Sequence, residues 1–225
     1  MPAGEIRPPV EIPYRVRRSE RARHVRVSVD ADGVEVVLPR RAAQRDAAAA
    51  VAQLTPWIER RLAEQAAARA TVAARGHAVP YLDRTLQLRR EPGRSRVRRR
   101  GDELLTPADA GLGPALERWY RRAARGEISA RLDRACGLAG TSYTNLTIRS
   151  QRTRWASCSA DGAMSFNWRL LLAPEAVLDY VVWHEVCHLE VRDHSRRFWA
   201  LLERRCPDCR SQAAWLRRHG ATLVL

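Results

Sequence analysis

The sequence predicts an α+β fold, with strands and helices grouped in separate stretches of the chain. Residues 24–39 and 144–168 alternate apolar and polar side chains around an Asp-Gly pair, which is typical of a β-hairpin. Residues 42–69, 114–137 and 174–192 instead place apolar side chains three or four positions apart, as amphipathic helices do. We find no internal repeat at a period of about 20 to 50 residues, and so we expect one main unit preceded by a smaller β/α extension.

The predicted N-terminal extension spans residues 14–107 and follows a loose, proline-rich leader at residues 1–13. Its helix is expected to dock on its hairpin, and Pro56 is expected to kink or break the helix. Short strands follow, together with an arginine-rich segment that we interpret as a basic loop at residues 89–100. The helical residues expected to pack on the hairpin are Val51, Leu54, Ile58 and Leu62.

The main unit is predicted to span residues 112–225. Pro114 suits the first turn of its long helix, and Gly137 is expected to end that helix. Strands should follow, with a turn at Asp161-Gly162, and lead into a helix from Pro174 to about Arg192. We expect the sheet to be mixed or antiparallel, with the long helix packed behind it.

The chain of 225 residues is strongly basic, with a formal net charge of +15 in which every basic residue other than histidine is arginine. Such a charge attracts phosphate groups, anionic surfaces or acidic protein segments. A coding bias towards arginine on solvated helix faces explains the same composition. We therefore expect no more than weak nucleic-acid or phosphate binding through the arginine-rich surface, and the sequence gives no oligomeric state.

The cysteines are five in number and lack the spacing of a disulfide framework. The first residues are charged and proline-rich, and no stretch approaches the ~18 apolar residues of a membrane span. These features predict a cytoplasmic protein without a membrane partner. Cys206 and Cys209 have the C-x-x-C spacing of half a zinc site or a redox pair, but no second pair accompanies them and their role stays open.

The helix near residue 184 carries the motif HEVCH, which is typical of zinc hydrolases. His184 and His188 are four residues apart and therefore project from one helix face, where both imidazoles can reach a single ion. Glu185 lies beside them and is predicted to accept a proton from a water on the metal. A chance match on a surface helix is the alternative, but valine, leucine and tryptophan surround the motif and a third histidine follows it. The predicted cofactor is one zinc ion.

A catalytic zinc needs a third protein ligand and one open position, and His194 is the leading candidate for that ligand. It follows His188 by six residues, as in the metzincin pattern, although Val191 occupies the position of the chain-reversing glycine there. The turn is therefore expected around Arg192-Asp193. The rival ligands are the carboxylates of Glu190, Asp193 and Glu203.

This part of the sequence resembles the YgjP-like zinc metallopeptidase family, which is itself similar to the SprT and WLM metalloproteases. The resemblance rests on YVVWHEVCHLEVRDHSRRFW and the preceding RTRWASCSADGAMSFNWRLLLAPEAVLDY, and extends to TPWIERRL, YLDR, LERWYRRAA and SQAAWLRRHG. It thus covers nearly the whole chain from about residue 14. It implies a compact zincin-like catalytic unit, metal ligands at His184, His188 and His194, and a catalytic glutamate at Glu185.

The chain departs from the family pattern at three positions, none of which removes a histidine ligand. Ala156 stands where glycine is usual in the RWGSC segment, and Asp83 stands where YLG is usual. Asp193 stands where asparagine commonly precedes the third histidine. These departures bear on how a substrate fits.

Four polar residues near the hairpin before the motif are predicted to contact substrate. A strand at this place can pair with an extended peptide or present a donor to a developing oxyanion. Salt bridging and turn capping at the surface are the alternative interpretation. The four residues are Arg152, Arg154, Ser157 and Asn167.

Together these features predict a zinc metallopeptidase that hydrolyses a protein or peptide substrate with Glu185 as general base. One alternative keeps the metal but assigns it to a nucleotide or phosphate ester held by arginines of residues 89–100. Another is a basic nucleic-acid-binding module in which the zinc is structural. Loss of activity on removal of the Glu185 carboxylate would exclude this last alternative.

Overall fold

A computed structural model describes residues 12–30, 33–108, 111–151 and 154–225. Residues 1–11 of the predicted leader lie outside these ranges, as do Asp32 of the predicted hairpin turn and Arg152 of the predicted substrate contacts. The chain divides into two packing units, Met1–Arg69 and Ala70–Leu225. The boundary expected between the N-terminal extension at residues 14–107 and the catalytic unit at residues 112–225 stays a prediction.

The first unit contains a three-stranded mixed sheet that is covered by a long helix. Its elements are β1 (Tyr14–Ser19), β2 (Arg26–Asp30), β3 (Gly33–Pro39) and α1 (Gln44–Ala74). Strand β3 is central, parallel to β1 and antiparallel to β2, which confirms the predicted hairpin. Buried side chains of β3 and α1 form the core of this unit, with Val34, Val36, Leu38, Ala47, Val51 and Ile58.

Helix α1 is continuous through Pro56, where the sequence predicts a kink or break. Proline removes only one hydrogen bond of the helix, because it lacks an N–H. The hydroxyl of Thr55 donates to the carbonyl of Val51 at 3.0 Å, next to the carbonyl of Ala52 that Pro56 leaves without an N–H donor. Leu54, which is expected to pack on the hairpin, is 37% exposed, whereas Ile58 is fully buried.

The second unit begins with a four-stranded sheet of order β4-β5-β7-β6. Its strands are β4 (Ala78–Tyr81), β5 (Arg84–Glu91), β6 (Arg98–Arg100) and β7 (Glu103–Pro107). Strand β5 is parallel to β7, and β6 is antiparallel to β7. Residues 89–91 and 98–100 of the predicted basic loop therefore lie in strands β5 and β6.

A third sheet precedes the motif helix, as the sequence predicts. Its strands are β8 (Asn145–Arg149), β9 (Ala156–Cys158) and β10 (Ala163–Asn167). The order is β8-β10-β9, with β8 parallel and β9 antiparallel to the central β10. The sheet is thus mixed, which is one of the two arrangements expected.

The same strand arrangement occurs three times in the described residues. In β1–β3, β5–β7 and β8–β10, the third strand is central, parallel to the first and antiparallel to the second. The connection between the first and second strands is residues 20–25, 92–97 and 150–155, respectively. The copies lie further apart than the periods of about 20 to 50 residues typical of repeat proteins, so the sequence does not reveal them.

Four helices complete the second unit. They are α2 (Leu112–Ala139), α3 (Glu175–Cys187), α4 (Arg196–Arg205) and α5 (Cys209–His219), with short 3-10 turns at Trp168–Leu172 and Gly220–Thr222. Helix α2 continues past Gly137, which was expected to end it. The cap is Gly140, whose left-handed φ of 65° suits a helix C-terminus.

The start of helix α3 is held from two sides. The guanidinium of Arg131 on α2 pairs with Asp179 at 2.9 Å and also with Glu175, both on α3. The carboxylate of Asp83, in the turn between β4 and β5, accepts a hydrogen bond from the N–H of Glu175 at 3.2 Å. Asp83, one of the departures from the family pattern, therefore caps the helix that carries the motif.

None of the helices within the described ranges combines the length and apolar character needed to cross a membrane.

Candidate active site

The motif residues lie at the C-terminal end of α3. His184 and Glu185 are in its last turn, and His188 is the residue that caps it. The N–H of His188 donates to the carbonyls of His184 and Glu185 at 3.3 and 3.1 Å, so the helical geometry reaches the second histidine. The sequence predicts that this helix continues to about Arg192. It ends at Cys187 instead, because the chain turns after His188.

Three histidines converge at this end of the helix. The Nε2 atom of His184 lies 3.2 Å from Nε2 of His188 and 3.0 Å from Nε2 of His194. Their candidate ligand atoms all lie within 4.8 Å of one another. Two nitrogen ligands at about 2.0–2.1 Å from a tetrahedral zinc ion are roughly 3.3–3.4 Å apart. The observed spacing therefore fits a single small cation.

The protonation of these rings also suits metal binding. The Nδ1 atom of His188 lies 3.0 Å from the carbonyl oxygen of Val191. Since a carbonyl only accepts, Nδ1 carries the proton and Nε2 presents a lone pair to the other rings. Burial, with the nearby His188 and His194, lowers the pKa of His184 to about 3. A neutral imidazole is the form that binds zinc.

Glu185 contributes a buried carboxyl group to the same site. The residue is only 5% exposed, and its Oε2 atom has no hydrogen-bond partner among the described residues. Burial raises the pKa of Glu185 to about 7. A carboxyl group that titrates near neutral pH can both accept and return a proton.

These groups line an open cavity of about 280 Å³ between α3 and strand β9. Strand β9 is an edge of its sheet and forms the opposite wall. The lining residues are Arg154, Ala156, Ser157, Cys158, His184, Glu185, His188, Arg192 and His194. The cavity thus brings the predicted ligands, the predicted base and two predicted substrate contacts together.

A family model described as YgjP-like, metallopeptidase domain, matches residues 23–219, which is most of the chain. The chain belongs to the YgjP-like metallopeptidase family. The predicted resemblance is therefore confirmed, and the α+β fold is confirmed by the elements described above. A search among curated proteins gives no match to this YgjP-like domain.

Two solved structures of archaeal metallopeptidase zymogens are similar to part of the YgjP-like domain. Abylysin of Pyrococcus abyssi is 22% identical, and the match covers 39% of this chain and 92% of abylysin with a TM-score of 0.34. Jannalysin of Methanocaldococcus jannaschii is 18% identical, and the match covers 39% of this chain and 94% of jannalysin with the same TM-score.

The loop that carries His194 in this YgjP-like domain is fixed by contacts that the sequence does not show. The guanidinium of Arg192 donates to the carbonyls of Ser159 and Ala160, both at 2.6 Å, in the turn between β9 and β10. The carboxylate of Asp193 accepts from the N–H of Ser195 at 3.2 Å, at the start of α4. The chain turns at residues 188–190, before the expected position at Arg192-Asp193, and bends again at Asp193.

An aromatic side chain supports the histidines from behind. Phe198 is fully buried on α4, and its ring stacks on that of His188 with centroids 4.5 Å apart. The Phe198 ring also meets the edges of His184 and His194, each at 4.9 Å. The sequence offers one signal for this role, which is that Phe198 follows the third histidine by four residues.

The rival ligands are engaged elsewhere. Glu190 pairs with Arg205 at 2.5 Å, and Glu203 pairs with Arg210 at 2.7 Å. None of the three rival carboxylates belongs to the described group of convergent ligand atoms. His194 is therefore the third member of the only such group among the described residues.

The remaining predicted residues are placed differently from one another. Arg154 and Ser157 line the cavity. Asn167 does not: it is 2% exposed, its amide donates to Gln151 O at 2.8 Å, and its oxygen accepts from Arg169 N at 3.1 Å. Its side chain therefore caps the 3-10 turn that directly follows β10 and ties the end of the strand to Gln151.

The C-x-x-C pair lies at the junction of α4 and α5. Cys206 and Cys209 are free thiols, as are the other three cysteines. Burial is the largest cause that raises the pKa of Cys206 to about 11 and also raises the pKa of Cys209. The group of convergent metal-ligand atoms found in the described residues does not include them.

Proposed function

We propose that this YgjP-like domain is a zinc-dependent peptidase, with His184, His188 and His194 as metal ligands and Glu185 as general base. The main support is the arrangement of the three histidines and Glu185. Three imidazole nitrogens at the spacing of a tetrahedral ion share a cavity with a buried carboxyl group that has no hydrogen-bond partner among the described residues. A single zinc ion with one open position is the cofactor that best suits three neutral imidazoles.

When bound at such a site, zinc polarises a carbonyl oxygen and lowers the pKa of a coordinated water to about 7. Glu185 then accepts the proton that the attacking water loses. Its carboxyl group subsequently donates that proton to the amine that leaves as the peptide bond breaks. The raised pKa of Glu185 supports both transfers, since neither form of the group is strongly favoured near neutral pH.

The peptide itself is proposed to lie along β9. Among the described residues this strand pairs with β10 on one side only, so its other edge can donate to and accept from an extended chain. Ser157 and Arg154 are the proposed substrate contacts there, and the Ser157 hydroxyl is held by the Ser165 hydroxyl at 2.9 Å. A protein or peptide substrate is thus favoured by an open strand edge beside the metal ligands.

The described arginines of residues 89–100 give less support to a phosphate-ester substrate. Arg89 and Arg100 pair with Glu103, and Arg94 pairs with Glu91. Their charges are therefore partly neutralised within the protein. We also propose a cytoplasmic location, which the five free thiols support because reducing compartments keep cysteines unpaired.

The test compares metal content and hydrolysis in the wild-type protein and two variants. We expect about one zinc per wild-type chain and cleavage of an unfolded protein. His194→Ala should lose the zinc, whereas Glu185→Gln should keep it and lose about 10²- to 10⁴-fold in kcat/KM. Nucleoside triphosphates and duplex DNA are assayed in parallel for hydrolysis and binding.

Two control variants separate these effects from general damage. His77→Ala removes an exposed histidine outside the cavity, and Glu203→Gln removes a rival carboxylate. Both should retain zinc and activity. An active Glu185→Gln protein, or triphosphate cleavage without peptide cleavage, would contradict the proposed function.

A further inference from the structure

The cavity beside the histidines has an unbalanced set of charges. Among the described residues, Arg154 and Arg192 are the arginines that line it, and Glu185 is the only acidic one. Glu185 lies at the buried floor. The open part of the cavity is therefore positive before any metal contributes its own charge.

The guanidinium of Arg192 is tied to the main chain. Both of its terminal nitrogens donate to main-chain carbonyls, those of Ser159 and Ala160, at 2.6 Å each. These bonds orient the guanidinium towards the turn between β9 and β10. Arg192 thus shapes the wall of the cavity and adds to its potential, and the two bonds limit how far its guanidinium can move towards a ligand.

Arg154 is available. Its side chain is exposed and forms no hydrogen bond or ion pair with any described residue. The neighbouring acids are used locally, since Asp161 accepts from the Ser159 hydroxyl and Asp193 accepts from the N–H of Ser195. No carboxylate among the described residues therefore neutralises the Arg154 guanidinium.

The main chain that carries Arg154 is nevertheless fixed. The carbonyl of the next residue, Trp155, accepts from the N–H of Asn167 at 2.7 Å. The Trp155 ring packs so closely on Gly220 that a Cβ at that position would lie 2.8 Å from it. Arg154 is thus a free cation on an anchored backbone at the mouth of the cavity, and anchoring lowers the entropy lost when a ligand binds.

We propose that Arg154 is a subsite for a substrate carboxylate, so that the enzyme prefers peptides with aspartate or glutamate within a few residues of the cleaved bond. The inference rests on the proposed peptidase function. A guanidinium can hold a carboxylate through two parallel hydrogen bonds, which gives orientation as well as affinity. A peptide paired with β9 passes Arg154 as it enters or leaves the cavity.

The test is a peptide library with random residues on both sides of the cleaved bond, read by sequencing the products. Wild type should enrich aspartate and glutamate about fivefold at one position, as expected for one partly exposed ion pair. Arg154→Ala should remove the enrichment, and Arg154→Glu should replace it with arginine and lysine. Arg96→Glu is the matched control.

The Arg96 control makes the same change of charge at the equivalent position of the repeated strand arrangement. Arg96-Val97 ends the connection between β5 and β6 as Arg154-Trp155 ends that between β8 and β9. Arg96 is also exposed and does not line the cavity. The acidic enrichment should therefore survive in Arg96→Glu.

A binding measurement gives a second readout that does not depend on turnover. Zinc-loaded Glu185→Gln protein is titrated with fluorescent peptides that differ only by aspartate or asparagine at the enriched position. The aspartate peptide should bind about fivefold more tightly, and Arg154→Ala in the same background should abolish the difference.

The outcomes distinguish this inference from the proposed function. Cleavage without acidic enrichment, or enrichment that persists in Arg154→Glu, would overturn the inference and leave the peptidase function intact. Cleavage of no peptide by any variant would overturn both. If Arg96→Glu also lost the acidic enrichment, the preference would depend on the net charge of the protein and the proposed Arg154 subsite would be wrong.

Discussion

The sheets β1–β3 and β8–β10 have the same strand order and directions, yet only the second borders the candidate metal site. In both, a glycine with positive φ begins or precedes the central strand, Gly33 at 108° and Gly162 at 82°. In both, the central strand is parallel to the first and antiparallel to the second. Strand order alone therefore does not account for the chemistry.

The residues on the two central strands differ in kind. The core side chains of β3 are aliphatic, and they pack against one helix. Strand β10 buries the polar residues Ser165 and Asn167 beside Met164 and Phe166. The Ser165 hydroxyl bonds that of Ser157, which lines the cavity, and the Asn167 amide bonds the carbonyl of Gln151 in the segment before β9. One arrangement of strands therefore serves as a scaffold in one place and as a site wall in another.

Removing the largest core side chain from each central strand should separate these two roles. Phe166→Ala should lower the free energy of unfolding by about 3–5 kcal/mol, and Leu38→Ala by about 2–5 kcal/mol, since both side chains are fully buried. Urea denaturation measures both effects. At a temperature where each variant stays folded, only Phe166→Ala should reduce zinc content. Zinc loss in Leu38→Ala and not in Phe166→Ala would contradict the different roles of the two sheets.

Beside each sheet, one arginine donates to two main-chain carbonyls in segments that connect or follow the strands. Arg192 bonds Ser159 and Ala160, and Arg18 bonds Arg40 and Ala42 at 2.9 Å each. Arg192→Ala should weaken zinc binding about 10- to 100-fold, because the loop that carries His194 loses its attachment. Arg18→Ala should leave zinc affinity unchanged.

Competition with a chromophoric chelator measures both zinc affinities. Arg192→Lys, which can replace only part of the paired bonds, should recover part of the affinity. Equal losses in the Arg18 and Arg192 variants would show that the effect is not specific to the loop.

The smallest expected effect concerns one hydroxyl in each sheet. Ser165 is 8% exposed and shares a hydrogen bond with Ser157, so Ser165→Ala should cost about 1 kcal/mol of unfolding free energy. Ser28 bonds the carbonyl of Glu35 at 3.4 Å and is less buried, so Ser28→Ala should cost under about 0.5 kcal/mol. Thermal unfolding at matched pH compares them, and the reverse order would contradict the difference in burial.

The sequence predicted the parts of the candidate site that depend on local geometry. His184 and His188 share a helix face because four residues make about one turn, whatever the rest of the fold. The three strands before the helix were predictable because alternation and an Asp-Gly pair are local signals. The structure of these elements depends on residues that are close to one another in the sequence.

Other features depended on contacts between distant residues. The turn that presents His194 is held by Arg192 reaching Ser159, more than thirty positions earlier. Helix α1 passes Pro56 without a break, and Val51 and Ile58 on either side of the proline are buried against residues of β3. Asn167 faces Gln151 and not the cavity because a 3-10 turn begins immediately after β10. Local patterns carry no information on these choices.

The hydrogen bond between His188 and the carbonyl of Val191 has a consequence for how the chain can vary. The acceptor is a main-chain oxygen, which every amino acid at position 191 supplies. Substitution there can alter packing without removing the group that orients the imidazole. The orientation of the His188 ring is therefore insensitive to the side chain at position 191. A single substitution of Arg192, in contrast, removes both hydrogen bonds that hold the neighbouring wall of the cavity.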